Sequence, residues 1–384
     1  MKDKIGICAC YATLNYGSML QAYATQITIN NLGYDSEFIV YRKSSSISYK
    51  IKQLPRLFNK NLLFDKSIAL QKKLALKMHP EIKKKDKCRK EAFLKFSKEY
   101  YVKFSKEYIG YEELKKGAKN YDSVVVGSDQ LWTPGGLATN FYNLMFVPDN
   151  INKVSYATSF GVSQIPWYQK KRTKEYLERI NFLSVREIAG AKIIKELTGR
   201  DANVVVDPTL LLSLEEWNER IPLKHIVSEK YIFCYFLGKN LKHRDIAKQL
   251  QQKTGLKIVC TPYLDSFVKS DKSFGDYQLF DIGPNDFVNL IRGAEYVLTD
   301  SFHGSVFSII YHKKFITLNR FSNGRQSRNS RIDSLCEVLG LSERRQCDDI
   351  FTNMDAEIDY TIVDEKLDEI RKSSIEYLRK SLEG

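Results

Sequence analysis

The sequence predicts an α/β protein of two domains with parallel sheets. The chain has 384 residues, which is more than a single domain usually holds. Apolar, strand-like runs alternate with helical segments from the start, a pattern typical of βαβ units. A new alternation of the same kind begins at Tyr231 to Leu237. We therefore predict domains over residues 1–222 and 223–362, with a C-terminal helix over 363–384 that packs back on the first domain.

The first domain opens with a βαβ signal. Ile5 to Cys10 is apolar, Asn15-Tyr16-Gly17 predicts a turn, and Ser18 is predicted to cap a helix that ends near Gly33. Phe38 to Tyr41 is the second predicted strand. Residues 43–119 are lysine-rich with few strand signals, which predicts an inserted helical region. Later strands are predicted at 123–126, 154–158, 183–185 and 204–206, with helices at 168–180 and 189–197.

The second domain repeats the alternation. Strands are predicted at 231–237, 257–260, 296–298 and 315–318, with helices at 241–253, 286–292 and 303–311. Residues 364–382 have the amphipathic pattern of the C-terminal helix.

Composition limits the classes of function. Hydrophobic residues make up 43% of the chain and charged residues 28%, which is typical of a folded protein. The net charge of +14 indicates an anionic partner. Runs such as Lys83-Lys84-Lys85 are compatible with a solvated helical face or with a surface that meets anionic lipid headgroups. The sequence has neither zinc-finger spacing nor an aromatic RNA-binding signature, so a nucleic-acid partner is not expected.

The cysteine pattern and the apolar runs bear on location. Seven cysteines are scattered along the chain, which fits a reduced, cytoplasmic protein better than a disulfide framework. The apolar run from Ile5 to Ala12 is short and is interpreted as a first strand rather than a secretion signal. No apolar run reaches the eighteen or so residues that a membrane helix needs. Any membrane contact is therefore expected to be peripheral, at the inner face of the cytoplasmic membrane.

Polar residues follow four predicted strands, where ligands bind in open parallel sheets. These loops are residues 15–18, 127–130, 184–187 and 300–304. The last begins a helix with a histidine in its first turn, and free amides at a helix start bind anions. His303 beside such an anion is suited to general acid catalysis. Alternatively, His303 only caps the helix, while Asp300 and Ser301 satisfy its free amides.

Other candidates also have two interpretations. Arg186 lies in an apolar segment, where a buried guanidinium binds a carboxylate or phosphate of a ligand, or else forms a structural ion pair with Glu187 or another carboxylate. Asp129 and Trp132 are compatible with a sugar site or with a turn beside a buried tryptophan. A basic loop that follows a strand either clamps phosphate or is solvated; its arginines are Arg320, Arg325, Arg328 and Arg331. The sequence has no Walker phosphate loop and no strict Gly-x-Gly-x-x-Gly fingerprint after the first strand, so an ATP or nicotinamide site is not supported.

Taken together, these motifs resemble those of the polysaccharide pyruvyl transferase family. The matching segments are Asn15-Tyr16-Gly17-Ser18 with Gln21-Ala22-Tyr23-Ala24, Gly127-Ser128-Asp129-Gln130-Leu131-Trp132, Ser184-Val185-Arg186-Glu187, Asp207-Pro208-Thr209-Leu210-Leu211 and Asp300-Ser301-Phe302-His303-Gly304-Ser305. They stand in the family order over roughly residues 1–340. The lysine-rich residues 43–119 match no family motif.

The resemblance implies a GT-B-like pair of facing Rossmann domains with phosphoenolpyruvate bound between them as co-substrate, and no metal or other cofactor. It implies that Arg186 and His303 contact or act on this donor. The donor site is expected to include Arg186 and the helix start at Ser301, His303, Gly304 and Ser305, with Asp129 as a base or hydroxyl anchor. The predicted acceptor or cleft residues are Asn15, Tyr16, Gly17, Ser128, Asp129, Gln130, Trp132, Arg325 and Arg328.

The expected reaction forms a pyruvate ketal on a sugar hydroxyl pair of a polysaccharide precursor and releases phosphate. A saccharide carried on a polyprenyl diphosphate is the expected acceptor. Two alternatives stay open: a glycosyltransferase that uses a nucleotide sugar, and a non-catalytic sugar-binding or scaffold protein of capsule assembly.

Overall fold

Two five-stranded parallel sheets, each covered by helices, form the protein. The computed structural model describes residues 3–44, 80–134, 140–262, 271, 273–320, 330–345 and 350–384. The predicted α/β class with two facing Rossmann-like domains is confirmed. The boundary between them at residue 222 stays a prediction.

The first sheet has the strand order β3-β2-β1-β4-β5, and all of its pairings are parallel. Its strands are β1 (Lys4–Cys8), β2 (Asp35–Arg42), β3 (Phe104–Ile109), β4 (Ser123–Val126) and β5 (Asn152–Ser155). The central strand β1 pairs Ile5 with Ser36 of β2 and with Ser123 of β4. This order places the loops after β1 and β4 side by side at one edge of the sheet.

The first helix, α1 (Tyr16–Asn31), is buried along almost its whole length. Its N-cap is Asn15, whose side chain accepts a hydrogen bond from the Ser18 amide at 3.1 Å. The prediction that Ser18 caps this helix is therefore wrong by three residues. Because Asn15 supplies the cap, the Ser18 hydroxyl is available for another partner.

The lysine-rich region contains a strand as well as helices. The structure describes α2 (Pro80–Tyr100), the edge strand β3 and α3 (Tyr111–Gly117) within it. The expectation of few strands in this region is corrected by β3. Its sequence, FSKEYI, has three consecutive polar residues and is mostly exposed, and charged side chains are tolerated on an edge strand. Residues 45–79 of the predicted insertion lie outside the described part of the chain.

A small parallel pair extends the first domain. It consists of β6 (Ser184–Val185) and β7 (Asn203–Val204), so the strand predicted at 204–206 is shorter and begins one residue earlier. The neighbouring helices are α4 (Lys170–Arg179), α5 (Ile188–Thr198) and α6 (Leu214–Arg220).

The second sheet has the order β10-β9-β8-β11-β12, again with parallel pairings. Its strands are β8 (Tyr231–Tyr235), β9 (Lys257–Cys260), β10 (Tyr277–Gln278), β11 (Tyr296–Thr299) and β12 (Lys314–Thr317). Its helices are α7 (Leu241–Thr254), α8 (Pro284–Gly293), α9 (Phe302–Ile310), α10 (Ser330–Leu339) and α11 (Ile350–Asp355).

The last helix, α12 (Tyr360–Glu383), returns to the first domain. The Asn152 side chain donates to the Ser381 carbonyl at 2.7 Å, and the Tyr377 hydroxyl donates to the Ser155 carbonyl at 3.0 Å. Both contacts lie at β5. The helix therefore ties the two halves of the chain together.

Aromatic packing also joins the domains. Tyr16, at the start of α1, stacks on Phe287 of α8 with ring centroids 4.9 Å apart and planes 4° apart. This contact lies one residue before Gly17 and fixes the position of the loop after β1 against the second domain. Across the described residues, the structure has no helix that is both long enough and apolar enough to cross a bilayer.

Candidate active site

A cavity of about 210 Å³ lies where the strand ends of the two sheets face each other. Both domains line it, with Thr13, Asn15, Ser18, Asp129 and Gln130 from the first, and Leu237, Asp300, Ser301, Phe302, His303, Arg320, Arg331 and Ile332 from the second. Three of the four polar loops predicted from sequence line this cavity, and the fourth contributes Arg186, which bonds to Asp207. The structure therefore brings residues 15–18, 129–130 and 300–303 together, with Arg186 behind them.

Asp207 holds the buried centre of the site. Its Oδ2 accepts hydrogen bonds from Arg186 Nη1 at 2.5 Å and from the Ser128 hydroxyl at 2.8 Å. Its Oδ1 accepts from the amide and the hydroxyl of Thr209. The side chains of Arg186 and Asp207 are 2% and 0% exposed, so this is a fully desolvated ion pair.

The environment of Asp207 keeps it ionised. Burial acts to raise the pKa of Asp207, but His303, Arg186 and Thr209 outweigh burial and hold this pKa well below its usual range. Sequence reasoning did not assign Asp207 a role, because Asp207-Pro208-Thr209 was interpreted as the end of a strand. The presence of this segment among the family motifs was the one available signal.

His303 lies in the first turn of α9, whose N-cap is Ser301. The residue is 7% exposed, and its Nε2 lies 3.6 Å from Asp207 Oδ1. Gly17 of α1 lies against the other side of the ring, where an added Cβ would be only 2.0 Å from Nδ1. The imidazole is therefore confined between the two domains.

Asp129 has strained backbone geometry. Its φ is +85°, which is uncommon for a residue with a side chain and is found most often at functional sites. Its Oδ2 accepts a hydrogen bond from the Ser18 hydroxyl at 2.6 Å. Burial acts to raise the pKa of Asp129, but Arg186, His303 and Ser18 together lower it. A carboxylate with a lowered pKa is a weak base, so Asp129 is better suited to anchor a hydroxyl than to remove a proton.

Two guanidinium groups pack near the Phe302 ring. The Arg186 guanidinium lies 4.5 Å from the ring centroid and that of Arg331 lies 5.7 Å from it. Burial and the neighbouring Arg186 lower the pKa of Arg331 to about 10, which leaves it charged at neutral pH. Within the described residues, Arg186 Nε and Nη2 and Arg331 Nε are buried without a hydrogen-bond partner. Such groups are costly unless a ligand satisfies them.

A second cavity, of about 320 Å³ and mostly apolar, lies beside the first. Arg186, Phe302 and Arg331 form the wall nearest the first cavity, and Val204, Leu335, Val338 and Ile370 supply apolar surface. Arg186 lines this second cavity, His303 lines the first, and Arg331 lines both. Asp207 therefore contacts both predicted donor-site residues, Arg186 and His303, although these two line different cavities.

Of the helix start predicted to bind the donor, Ser301 and His303 line the cavity, whereas Gly304 and Ser305 do not. The Gly304 amide approaches Ser301 Oγ at 3.4 Å, and the Ser305 hydroxyl bonds to Thr317 Oγ1 at 2.6 Å. Both groups are thus engaged within the chain, and Ser305 is 0% exposed. Asp300 does not cap this helix: it accepts the amides of Leu237 and Gly238 at 2.6 and 2.9 Å.

Several predicted acceptor residues lie away from the cavity. Trp132 is 0% exposed, and its indole donates to the Tyr142 carbonyl at 3.0 Å, which corresponds to the alternative of a buried tryptophan beside a turn. Stacking of Trp132 on a sugar is thereby contradicted. Tyr16 packs in the domain interface, and Ser128 is bonded to Asp207. Arg325 and Arg328 lie outside the described residues.

Comparison with known proteins places the chain in a family and a fold. The family model described as "Polysaccharide pyruvyl transferase" matches residues 15–323. A search of curated proteins finds no significant match. Among solved structures, S. aureus MnaA bound to UDP is similar with a TM-score of 0.51 and 12% identity, over 96% of this chain and 88% of that one. A UDP-GlcNAc 2-epimerase from Neisseria meningitidis bound to UDP-GlcNAc has a TM-score of 0.47 and 13% identity, over 99% and 100% of the two chains. The fold is GT-B.

Proposed function

We propose phosphoenolpyruvate as the donor of this chain, which belongs to the polysaccharide pyruvyl transferase family and is thus a transferase enzyme that moves a pyruvyl group. The proposed product is a pyruvate ketal on two hydroxyl groups of a saccharide. The proposed acceptor is a precursor carried on a polyprenyl diphosphate, met at an anionic membrane surface.

One observation carries this proposal: two guanidinium groups, with buried N–H donors that have no hydrogen-bond partner among the described residues, lie beside a buried histidine at the domain interface. Phosphoenolpyruvate has a carboxylate and a phosphate, and a planar guanidinium binds either anion through two parallel hydrogen bonds. The first cavity, at about 210 Å³, is smaller than the roughly 300–1,000 Å³ of sites for drug-sized ligands. Its size suits a small dianion better than a whole nucleotide sugar.

The proposed reaction balances without a redox partner. The methylene carbon of phosphoenolpyruvate gains a proton and becomes a methyl group, and one sugar hydroxyl adds to the neighbouring carbon. The bond from that carbon to the phosphate oxygen breaks, a second hydroxyl closes the ketal, and hydrogen phosphate leaves. The two hydroxyl protons account for the new methyl proton and the phosphate proton. The difficult point is the cation-like carbon, which an enclosed, preorganised site stabilises.

Each residue has a role that its position supports. Arg331, which lines both cavities, holds one anionic group of the donor in the first cavity, and Arg186, which lines the second, holds the other where the two cavities adjoin. Phe302 packs against both guanidinium groups. His303 delivers a proton to the donor carbon or to the leaving phosphate, with Asp207 orienting its ring. Asp129, already fixed by Ser18, accepts a hydrogen bond from the sugar hydroxyl that attacks.

The test is phosphate release from phosphoenolpyruvate with a panel of lipid-linked saccharides, together with the mass of the product. We expect the product mass to rise by one pyruvic acid less one water for each ketal formed, with one phosphate released for each. His303→Ala should lower the rate by about 100-fold, which is typical for loss of a general acid. His225→Ala is the matched control, because His225 is exposed and lines neither cavity. Near-normal turnover of folded His303→Ala would remove the role assigned to His303.

Ligand-induced thermal stabilisation separates the proposal from its alternatives. Phosphoenolpyruvate should raise the melting temperature more than UDP-sugars do, since a ligand that binds only the folded state stabilises it. Stabilisation by UDP-sugars alone would favour a glycosyltransferase. Stabilisation by neither, with no phosphate release, would favour a scaffold protein.

A further inference from the structure

One of the three tryptophans is almost completely exposed. Trp132 and Trp217 are 0% exposed, whereas Trp167 is 84% exposed and its neighbour Tyr168 is 58% exposed. The rings of Trp167 and Tyr168 are 5.9 Å apart and nearly perpendicular, at 89°. Two adjacent large aromatic faces in water are unusual, and aromatic rings with a polar edge commonly serve to bind ligands.

A cavity of about 170 Å³ opens beside Tyr168. Asn143, Gln169 and Arg172 also line it, so amide and guanidinium groups face the same space as an aromatic ring. The Gln169 amide nitrogen donates to the Pro134 carbonyl at 3.1 Å, which fixes the side chain. Its Oε1 is buried and has no donor among the described residues, so a ligand hydroxyl would satisfy it.

We propose that Trp167, Tyr168 and this cavity form a second saccharide subsite, which binds a sugar unit of the acceptor away from the one that is modified. The apolar C–H face of a pyranose packs on an aromatic ring, while its hydroxyls bond to amides and guanidinium groups. The exposed aromatic rings and the polar side chains of the cavity supply both kinds of contact. The inference rests on the proposed function, because it defines the acceptor as an oligosaccharide rather than a single sugar.

The chain connects this subsite to the catalytic cavity. Gln130 lines the catalytic cavity and packs on Gly161, where an added Cβ would lie 2.9 Å from Gln130 Cδ. Pro134, only four residues further along, lines the subsite. Four extended residues span at most about 14 Å, so the two sites lie within reach of one oligosaccharide.

An anionic membrane surface is the competing partner, since α4 is rich in lysine and arginine. Most of its cations are already paired within the protein, however. Lys170 pairs with Glu196 at 2.7 Å, Lys174 with Glu178 at 3.6 Å, and Arg179 with Asp149 at 2.8 Å. Arg172 donates to Asn140 at 2.8 Å. Paired charges attract lipid headgroups weakly, and the concave polar cavity fits a sugar better than a bilayer.

The test uses tryptophan fluorescence without donor. Because the other two tryptophans are fully buried, quenching by acrylamide reports mainly on Trp167. Cellohexaose, maltohexaose and a β-linked galactohexaose, each at millimolar concentration, serve as probes, with glucose as the short control. We expect at least one hexasaccharide to shield Trp167 from acrylamide. Tyr168→Ala, which keeps the reporter, should bind that hexasaccharide about tenfold more weakly. Lys248→Ala, on an exposed face of α7, should bind it normally.

The outcomes separate the subsite from the proposed function. No shielding by any hexasaccharide overturns the subsite, whether or not phosphate is released. A blue shift of Trp167 emission with phosphatidylglycerol vesicles and no response to saccharides assigns the surface to the membrane and also overturns it. Shielding with no phosphate release from any donor and acceptor pair leaves the subsite standing and rejects the proposed reaction. In turnover assays, Trp167→Ala should raise KM for long acceptors about tenfold and leave kcat unchanged.

Discussion

Gly17→Ala is the sharpest test of the site, because it adds one carbon where the two domains meet. An alanine Cβ at this position would lie 2.0 Å from Nδ1 and 2.2 Å from Cγ of His303. Ordinary van der Waals contact needs about 3.4–4 Å, so the imidazole must move by about 1.5 Å or the domains must separate. A misplacement of about 1 Å in a catalytic group can lower the rate by roughly 100-fold. We therefore expect a loss of two orders of magnitude or more in phosphate release.

The stability of the same variant tests the geometry independently of activity. Within a helix, replacing glycine by alanine ordinarily stabilises by about 1 kcal/mol. Here the clash should cancel that gain in the wild-type background. In His303→Ala the ring is absent but the Cβ of residue 303 stays 2.7 Å from the added carbon, so Gly17→Ala should be less unfavourable in that background than in the wild type. Urea unfolding of the four proteins gives this difference as a double-mutant cycle.

The result that would refute the reasoning is equally specific. Normal phosphate release by Gly17→Ala, together with a gain of about 1 kcal/mol in both backgrounds, would mean that the ring of His303 is not confined by Gly17. A closed interface between α1 and α9 would then be wrong.

Three further predictions follow from the charges. Arg186→Lys keeps the positive charge but loses the planar guanidinium fork, so the phosphoenolpyruvate concentration for half-maximal rate should rise. Unchanged kinetics in a destabilised variant would make Arg186 a structural residue. Asp207→Asn should cost about 3–5 kcal/mol at pH 7 by urea unfolding, since it leaves a buried cation unpaired. Because folding lowers the pKa of Asp207, this wild-type advantage should be present above about pH 4 and decline as the pH falls further; an advantage independent of pH would contradict it. Reversing the exposed Lys83 and Lys84 to Glu should weaken sedimentation of the protein with anionic liposomes. Added salt should have the same effect, because the Debye length shortens from about 10 Å to about 3 Å between 0.1 and 1 M. Lys242→Glu is the control, and equal binding to neutral liposomes would contradict the membrane proposal.

The repeating architecture was predictable because it depends on local patterns. Buried parallel strands are short apolar runs, and those at 123–126 and 257–260 were predicted with the bounds that the structure has. Strand β3 was missed because an edge strand carries charges that resemble a solvated helix. The cap of α1 was misplaced because Asn15 and Ser18 are both good caps, and only the tertiary contact with Asp129 decides between them.

The candidate site was predictable only in part, for a related reason. Motifs after strands identified His303, Asp129 and Arg186, since strand ends converge at one edge of a sheet. Which side chains face the cavity depends on packing that the sequence does not encode locally. Trp132 and Trp167 illustrate this, because the tryptophan next to the motif is buried and the exposed one lies outside every motif.

The four residues Asn15-Tyr16-Gly17-Ser18 explain why the site needs both domains. Asn15 caps α1, and Tyr16 stacks on the second domain, which sets the distance between the two sheets. Gly17 leaves the space that His303 occupies, and the hydroxyl of Ser18 fixes the carboxylate proposed to anchor the acceptor. Each residue type is required for a different physical reason, and three of the four act on groups outside the helix that they begin. Because the proposed acid and the proposed anchor come from opposite domains, any change in the angle between domains alters their separation. We therefore expect substitutions in the Tyr16 stack to lower turnover by changing this angle.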